Sequence, residues 1–378
     1  MSGIESKLRP HYGDREKCPR NTFGRCIGTS FSSPGLITTH ALLAKIDRVK
    51  NRIEWLDVVR GIALCGIAFA NIGTLWKIAA PRSFSYDLMQ LLVQQRFFPV
   101  FSFLFGLGFG LMWAKGYGRI PLLRRFLFIG ALGALHQLIH PGEALLFYAA
   151  AALFILLPST YMPRAWTLVF GIVATVLAAP FGGPLLIPGL FLLGSSISQF
   201  GIPYLLAEKH RGPAYALTIF IPIAVIASWL QWQNKINAGF SSESAIAGLA
   251  IAATWLCVAI LAMHTPARSF LQAAFAPMGR LALSNYIGAT LIMLASRKMF
   301  DIPETSEAWD IAFFFVAGML VVQILCSWIW DRAFGQGPLE RLWRMVTWWS
   351  FTPKRSNNYV RTTPSETVNN VRQPVLES

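Results

Sequence analysis

Charged residues are scarce in this sequence, and their scarcity excludes a soluble protein. Only 13% of the 378 residues are charged, whereas an ordinary soluble domain carries about 25%. The charges that exist are concentrated at the ends, with fifteen in residues 1–55 and ten in residues 332–378. Apolar residues make up 54% of the chain. The composition therefore predicts an all-α, polytopic membrane protein that lies in a lipid bilayer and has polar tails.

Acidic residues are outnumbered, and the net charge of +15 raises the question of a nucleic-acid partner. The excess lies mainly in the two tails, and the other basic residues stand singly or in pairs between apolar runs. Lysine and arginine mark cytoplasmic loops in this way. We therefore expect no nucleic-acid partner, and we expect both tails on the cytoplasmic side of the membrane.

Familiar metal and nucleophile motifs are also lacking. Cys18 and Cys26 lie in the N-terminal tail with histidines nearby, but their spacing matches no common zinc pattern. The order of a serine, histidine and aspartate triad is absent, and so is a phosphate-cradling glycine loop. No metal site is predicted, and any chemistry must use isolated polar groups within the apolar runs.

Ten apolar runs are long enough to be considered as membrane spans. They cover 56–76, 97–114, 123–140, 144–158, 165–181, 185–201, 213–232, 245–263, 281–297 and 308–330. Two of these runs are marginal, because 144–158 is short and 185–201 is interrupted by proline. The sequence predicts eight to ten spans within a helical bundle over residues 51–334.

The segments outside the bundle are predicted from composition. Residues 1–50 are polar and turn-prone, and residues 351–378 are polar, so both are predicted to be disordered. Between them, residues 335–350 place leucine, valine and tryptophan at helical spacing with charges in between. That pattern predicts an amphipathic helix on the inner membrane face.

Two groups of polar residues stand where runs are predicted to begin at the inner face. Asp57 and Arg60 are three residues apart, on one face of the first run. Arg280, Ser284 and Asn285 stand at the start of the ninth. Each group is open to two interpretations: ion pairing or hydrogen bonding between helices, or binding of a charged cofactor or substrate.

A third group lies at the opposite end of the third run. His136 and His140 are one helical turn apart, and Glu143 follows just beyond a Pro-Gly break. Histidine titrates near neutral pH and can act as a general base, and a nearby carboxylate can orient it. A hydrogen-bonded histidine between packed helices is the alternative. Gly106 and Gly110 in the second run have the spacing of close helix packing.

Five stretches together resemble one family, the YeiB-like bacterial multi-pass membrane proteins, also described as domain of unknown function 418. The first three stretches are Arg52-Ile53-Glu54-Trp55-Leu56-Asp57-Val58-Val59-Arg60-Gly61 with Gly66 and Asn71, then Phe101-Ser102-Phe103-Leu104-Phe105-Gly106, and then His136 followed by Gly142-Glu143 and Tyr148-Ala149. The other two are Gly279-Arg280-Leu281-Ala282-Leu283-Ser284-Asn285-Tyr286 and Gly337-Pro338-Leu339-Glu340-Arg341-Leu342-Trp343-Arg344. They occur in the family's order from about residue 52 to 348. The family's usual Gly-Asp is replaced by Gly142-Glu143.

The opening of this family is remotely similar to that of membrane acyltransferases of the heparan glucosaminide acetyltransferase type. That likeness implies transfer of an acetyl group to a small-molecule, sugar or lipid acceptor. His136 and Glu143 would be catalytic, and Asp57, Arg60, Arg280, Ser284 and Asn285 would bind a donor such as acetyl-coenzyme A. The alternatives are a transporter or exporter of a small solute or lipid, and a non-catalytic membrane component. The sequence leaves the oligomeric state open.

Overall fold

The computed structural model describes residues 53–78, 84–208, 211–234, 241–300 and 308–349, and these residues form helices joined by turns, with no β-strand among them. The predicted disordered tails, 1–50 and 351–378, lie outside the described residues. The first seven α-helices are α1 (Glu54–Trp76), α2 (Phe84–Leu92), α3 (Phe97–Ala114), α4 (Arg119–Gln137), α5 (Ala144–Ala151), α6 (Arg164–Ala178) and α7 (Leu186–Gln199). The second seven are α8 (Ile202–Ala207), α9 (Gly212–Asn234), α10 (Ser242–Ala262), α11 (Arg268–Arg280), α12 (Ala282–Met299), α13 (Ala308–Phe334) and α14 (Pro338–Trp348).

Nine of the ten predicted apolar runs coincide with an α-helix, and the run 144–158 coincides with α5 and the π-helix Ala152–Leu156 that continues it, so the all-α membrane bundle is confirmed. By length and composition six helical segments can cross a bilayer, or seven if α11 and α12, bent by 80° at their junction, are counted as one span. The apolar helices α6 and α7 are shorter than this criterion requires. The expected number of eight to ten spans therefore remains a prediction.

Three helices were not predicted, and one of them is central to the bundle. α2 and α8 are short, whereas α11 packs extensively against α1. The sequence of α11 mixes Arg268 and Gln272 with apolar residues, so it lacks the long apolar run that identified the other helices. α14 falls within the segment predicted as an amphipathic helix, and its position on the inner membrane face stays a prediction.

Close helix packing follows the glycine pattern in α3. A Cβ atom at Gly106 or Gly110 would overlap the backbone of α7 at Phe191 or Ser195. The two backbones can therefore approach only because these positions lack side chains. The packing role predicted for this glycine pair is confirmed, and α3 and α7 form the most extensive helix pair of the bundle.

Candidate functional site

The first polar cluster lies where α4 ends and α5 begins. His136 occupies the last turn of α4, and Glu143 is the N-cap of α5. The Glu143 carboxylate accepts hydrogen bonds from the backbone N–H groups of Leu145 and Leu146 at 2.7 and 2.8 Å. Its Oε2 atom also lies 3.2 Å from Nδ1 of His136. Both side chains are buried, so the structure joins the two residues that the sequence placed on either side of the Pro-Gly break.

Three further side chains complete this cluster. Tyr286 of α12 packs its ring edge-on against the ring of His136. Its hydroxyl lies near the side chains of Glu143 and Asn71. His140 is buried, with its ring centroid 5.6 Å from that of His136. Nε2 of His136 and Nδ1 of His140 have no hydrogen-bond partner among the described residues. Sequence reasoning did not assign Tyr286 or Asn71 to this site, although both are polar residues within apolar runs.

The second cluster is basic and is built from helices at the other end of α1. Asp57 and Arg60 form the predicted ion pair, with 3.6 Å between Oδ1 and Nη1. Arg125 of α4 stacks on the ring of Trp343 of α14, with its guanidinium carbon 3.3 Å from the ring centroid. The indole N–H of Trp343 donates a hydrogen bond to the backbone carbonyl of Arg125. These two contacts hold α14 against α4 near Arg60.

The residues at the junction of α11 and α12 make hydrogen bonds within the protein. Arg280 donates to both carboxylate oxygens of Asp331 on α13. The side chain of Ser284 donates to the carboxylate of Glu340, which also accepts backbone N–H groups at the start of α12. Asn285 exchanges hydrogen bonds with the side chain of Ser327. These contacts match the interhelical interpretation, and the donor-binding role of Arg280, Ser284 and Asn285 stays a prediction.

A cavity of about 950 Å³ joins the two clusters. Arg60, Arg125 and Arg280 line it at one end, and His140, Glu143 and Tyr286 line it at the other. The wall between them is largely aromatic and is formed by Phe98, Phe101, Phe105, Phe109, Phe126 and Tyr148. A pocket of this size is large enough for a drug-sized ligand or cofactor.

His136 is not among the residues that line this cavity, and it contacts the cavity through Glu143. Ser284 and Asn285 are likewise set back from the wall. Within the described ranges, no group of three or more histidine, cysteine, aspartate or glutamate residues is arranged to hold a metal ion. One ligand can therefore extend along the whole cavity, with a negatively charged group at the basic end and its other end beside the buried carboxylate of Glu143.

Comparisons with known proteins find uncharacterised bacterial relatives. The family model "Protein of unknown function (DUF418)" matches residues 208–350. A Bacillus acidopullulyticus relative, an uncharacterized 39.9 kDa protein in the amylase 3′ region, is 30% identical over 79% of this chain and 94% of its own length. YeiB of Escherichia coli is 24% identical over 77% of this chain and 95% of its own length. YxaH of Bacillus subtilis is 23% identical over 80% of this chain and 96% of its own length.

No solved structure matches the chain significantly. The relatives that match nearly end to end are bacterial, and the structure has several helices that can cross a bilayer. This chain is a multi-pass membrane protein that belongs to the DUF418 family and is related to YeiB and YxaH.

Proposed function

We propose that this protein is a membrane-embedded acyltransferase that moves an acetyl or similar acyl group to a small-molecule, sugar or lipid acceptor. The observation that carries the proposal is a cavity that runs from basic side chains to the buried Glu143, whose carboxylate is paired with His136. An acyl donor with negative charge at one end, such as acetyl-coenzyme A, fits this distribution of charge. The aromatic wall between the ends suits the apolar part of such a donor.

In this proposal, Glu143 and His136 act as one proton-accepting unit. Glu143 faces the cavity, and His136 hydrogen bonds to its carboxylate from behind. The acceptor's hydroxyl or amine proton passes to this unit. A bound acyl thioester supplies the activated carbonyl carbon, to which the acceptor forms its new bond as the carbon–sulfur bond breaks. The unit returns the proton to the leaving thiolate, so that neither Glu143 nor His136 changes overall.

At the donor end, Arg60 and Arg280 supply positive charge next to the cavity. Arg60 is paired with Asp57, which fixes its position on α1. Ser284 and Asn285 support this end by holding the junction of α11 and α12 against α14 and α13. We expect the basic end to face the cytoplasm of a bacterial cell, because lysine and arginine concentrate on that side of membrane proteins. Both tails would then be cytoplasmic.

The direct test is to incubate the purified protein with labelled acetyl-coenzyme A and a panel of membrane-lipid, sugar and amine acceptors. Wild-type protein should transfer label to an acceptor. Glu143→Gln and His136→Ala should each reduce the rate about 10²- to 10⁴-fold, the range for loss of a general base. Gln137→Ala, next to His136 but outside the cavity lining, is the matched control and should retain transfer. Absence of transfer to every acceptor, or full activity in Glu143→Gln, would refute the proposal.

A transporter is the second candidate, and the broken helix beside the cavity favours it. α11 and α12 meet at a bend of 80° next to Arg280, and transporters commonly bind substrates at discontinuous helices. In proteoliposomes, a transporter should give solute flux that depends on a pH gradient and is lost in Glu143→Gln. Acyl transfer without flux would identify the enzyme, and flux without acyl transfer would identify the transporter.

A further inference from the structure

Three arginines from three different helices meet at the basic end of the cavity. Arg60 comes from α1, Arg125 from α4 and Arg344 from α14, and all three line the cavity wall. Arg125 lies within electrostatic range of both Arg60 and Arg344, and each repels its positive charge. Residues so far apart in the sequence are brought together only by the fold. Because their positive charges repel one another, this arrangement of arginines is unfavourable unless a negatively charged group lies among them.

The carboxylates nearby compensate this charge only in part. Asp57 pairs with Arg60, and Asp331 pairs with Arg280. Glu340 is held by the backbone N–H groups at the start of α12 and by the hydroxyl of Ser284. In the described part of the chain, no ion pair joins a carboxylate to Arg125 or Arg344. The cavity end therefore carries an excess of positive charge.

The contacts of Arg125 keep its guanidinium group in one place. Its face is covered by the ring of Trp343, and the hydrogen bond from Trp343 to its carbonyl fixes the same pair of helices. Stacking covers one face of a guanidinium group, but its N–H donors point outward in the plane of the group and can still bind a ligand. A planar, fixed guanidinium group is well suited to bind a phosphate through two parallel hydrogen bonds.

α14 is part of this site because it carries both Trp343 and Arg344. Glu340 of the same helix binds the start of α12, so α14 is attached on two sides of the cavity. Arg344 is exposed at the cavity edge, where a ligand can reach it. Arg341, one turn earlier on α14, is also exposed but does not line the cavity. The helix thus offers one arginine to the site and one matched arginine away from it.

We propose that Arg60, Arg125 and Arg344 form a phosphate-binding subsite, whose ligand is an organic phosphate with at least two negative charges. For the reaction this inference rests on the proposed function, since it identifies how the charged end of the donor is held. The prediction that the subsite binds a phosphate does not depend on the proposed function. The ligand is either a soluble phosphate ester or the headgroup of an anionic lipid, because both present the same oxygen atoms to the arginines. Arg280 contributes charge but is a weaker candidate ligand, because two of its N–H groups already bind both carboxylate oxygens of Asp331. Arg60, in contrast, has a longer contact of 3.6 Å with Asp57.

The test is equilibrium binding of labelled inorganic pyrophosphate to the purified full-length protein in an uncharged detergent. We expect saturable binding that Arg125→Gln and Arg344→Gln each weaken about ten-fold or more, as expected for loss of a hydrogen bond to a charged group. Arg341→Gln, with the same change of charge on the same helix, should bind like wild type. Arg344→Gln is informative even if Arg125→Gln fails to fold, because Arg344 is exposed.

A second arm distinguishes the two sources of phosphate. Phosphatidylglycerol in lipid nanodiscs is offered as a competitor of pyrophosphate, with phosphatidylcholine as the reference lipid. If phosphatidylglycerol competes with pyrophosphate, and Arg344→Gln abolishes this competition, the subsite binds a lipid headgroup. If pyrophosphate binds but phosphatidylglycerol does not compete with it, the subsite binds a soluble phosphate. The inference is wrong if neither probe binds below about 1 mM, or if Arg341→Gln weakens binding as much as Arg344→Gln. A failure of acyl transfer with intact pyrophosphate binding would refute only the proposed function.

Discussion

The crossing of α1 and α11 is so close that one added methyl group should disrupt it. A Cβ atom built at Gly279 would overlap the backbone carbonyl oxygen of Asp57 and would lie 2.9 Å from the amide nitrogen of Gly61. Real Cβ atoms essentially never come within 3.0 Å of such atoms. Both contacts are backbone atoms of α1, so no side chain can rotate away. In Gly279→Ala, the two helices must therefore separate.

The cost of this separation can be set against the gain in helix propensity. Overpacking a well-packed site costs about 1–3 kcal/mol, and a backbone-to-backbone clash belongs at the upper end of that range. Alanine recovers about 1 kcal/mol as a better helix former than glycine. The net effect should be a loss of about 2 kcal/mol. Because Asp57 and Gly279 adjoin Arg60 and Arg280, the movement should also distort the basic end of the cavity.

The assay is thermal unfolding in detergent, followed by size-exclusion chromatography of the heated protein. Gly318→Ala is the matched control, because Gly318 is exposed in the middle of α13 and a Cβ atom there meets nothing within 4 Å. We expect Gly279→Ala to unfold several degrees below wild type, and Gly318→Ala to unfold at or above the wild-type temperature. Equal unfolding temperatures for the two variants would refute the close crossing of α1 and α11.

Three further predictions concern polar groups that bind or pack against other helices. Arg96 is fully buried and hydrogen bonds to Gln231 and to the backbone of two segments; Arg96→Lys should lower stability by about 1–3 kcal/mol in thermal unfolding, because one ammonium group cannot reach all these acceptors, and an unchanged unfolding temperature would contradict this. Tyr286→Phe removes a buried hydroxyl near Glu143; we expect label transfer to fall about ten-fold and the free energy of unfolding to fall by no more than about 1 kcal/mol, and unchanged transfer would exclude a positioning role. Glu340→Ala removes the carboxylate that accepts backbone N–H groups at the start of α12. The free energy of unfolding should fall by about 1 kcal/mol, and a stability equal to that of wild type would show that these hydrogen bonds contribute nothing.

The apolar runs were sufficient to predict most of the bundle. Helices of this kind are identified by length and hydropathy alone, since every backbone group in a bilayer must be hydrogen bonded within its own segment. α11 was missed for the same reason: its apolar residues are interrupted by polar ones, and its place in the bundle depends on contact with α1. The pairing of His136 with Glu143 was predictable because only a short turn separates them.

Contacts between distant segments could not be predicted. Tyr286 reaches Glu143 from a helix more than 140 residues further along the chain, and Trp343 reaches Arg125 across an even larger interval. The sequence identified Arg280 as a candidate anion ligand from its local setting. The structure pairs it with Asp331, whose position relative to Arg280 depends on how α11 and α13 pack.

The sequence by itself determined the membrane bundle, the location of most helices and the few polar residues among which a site can be sought. These properties depend on local composition, because the bilayer selects apolar helices one segment at a time. Only the tertiary structure decided that Glu143 faces a cavity while His136 lies behind it. It also decided that Arg60, Arg125 and Arg344 share one end of that cavity. Helix packing sets those relations, and its geometry is a property of pairs of segments that no single segment contains.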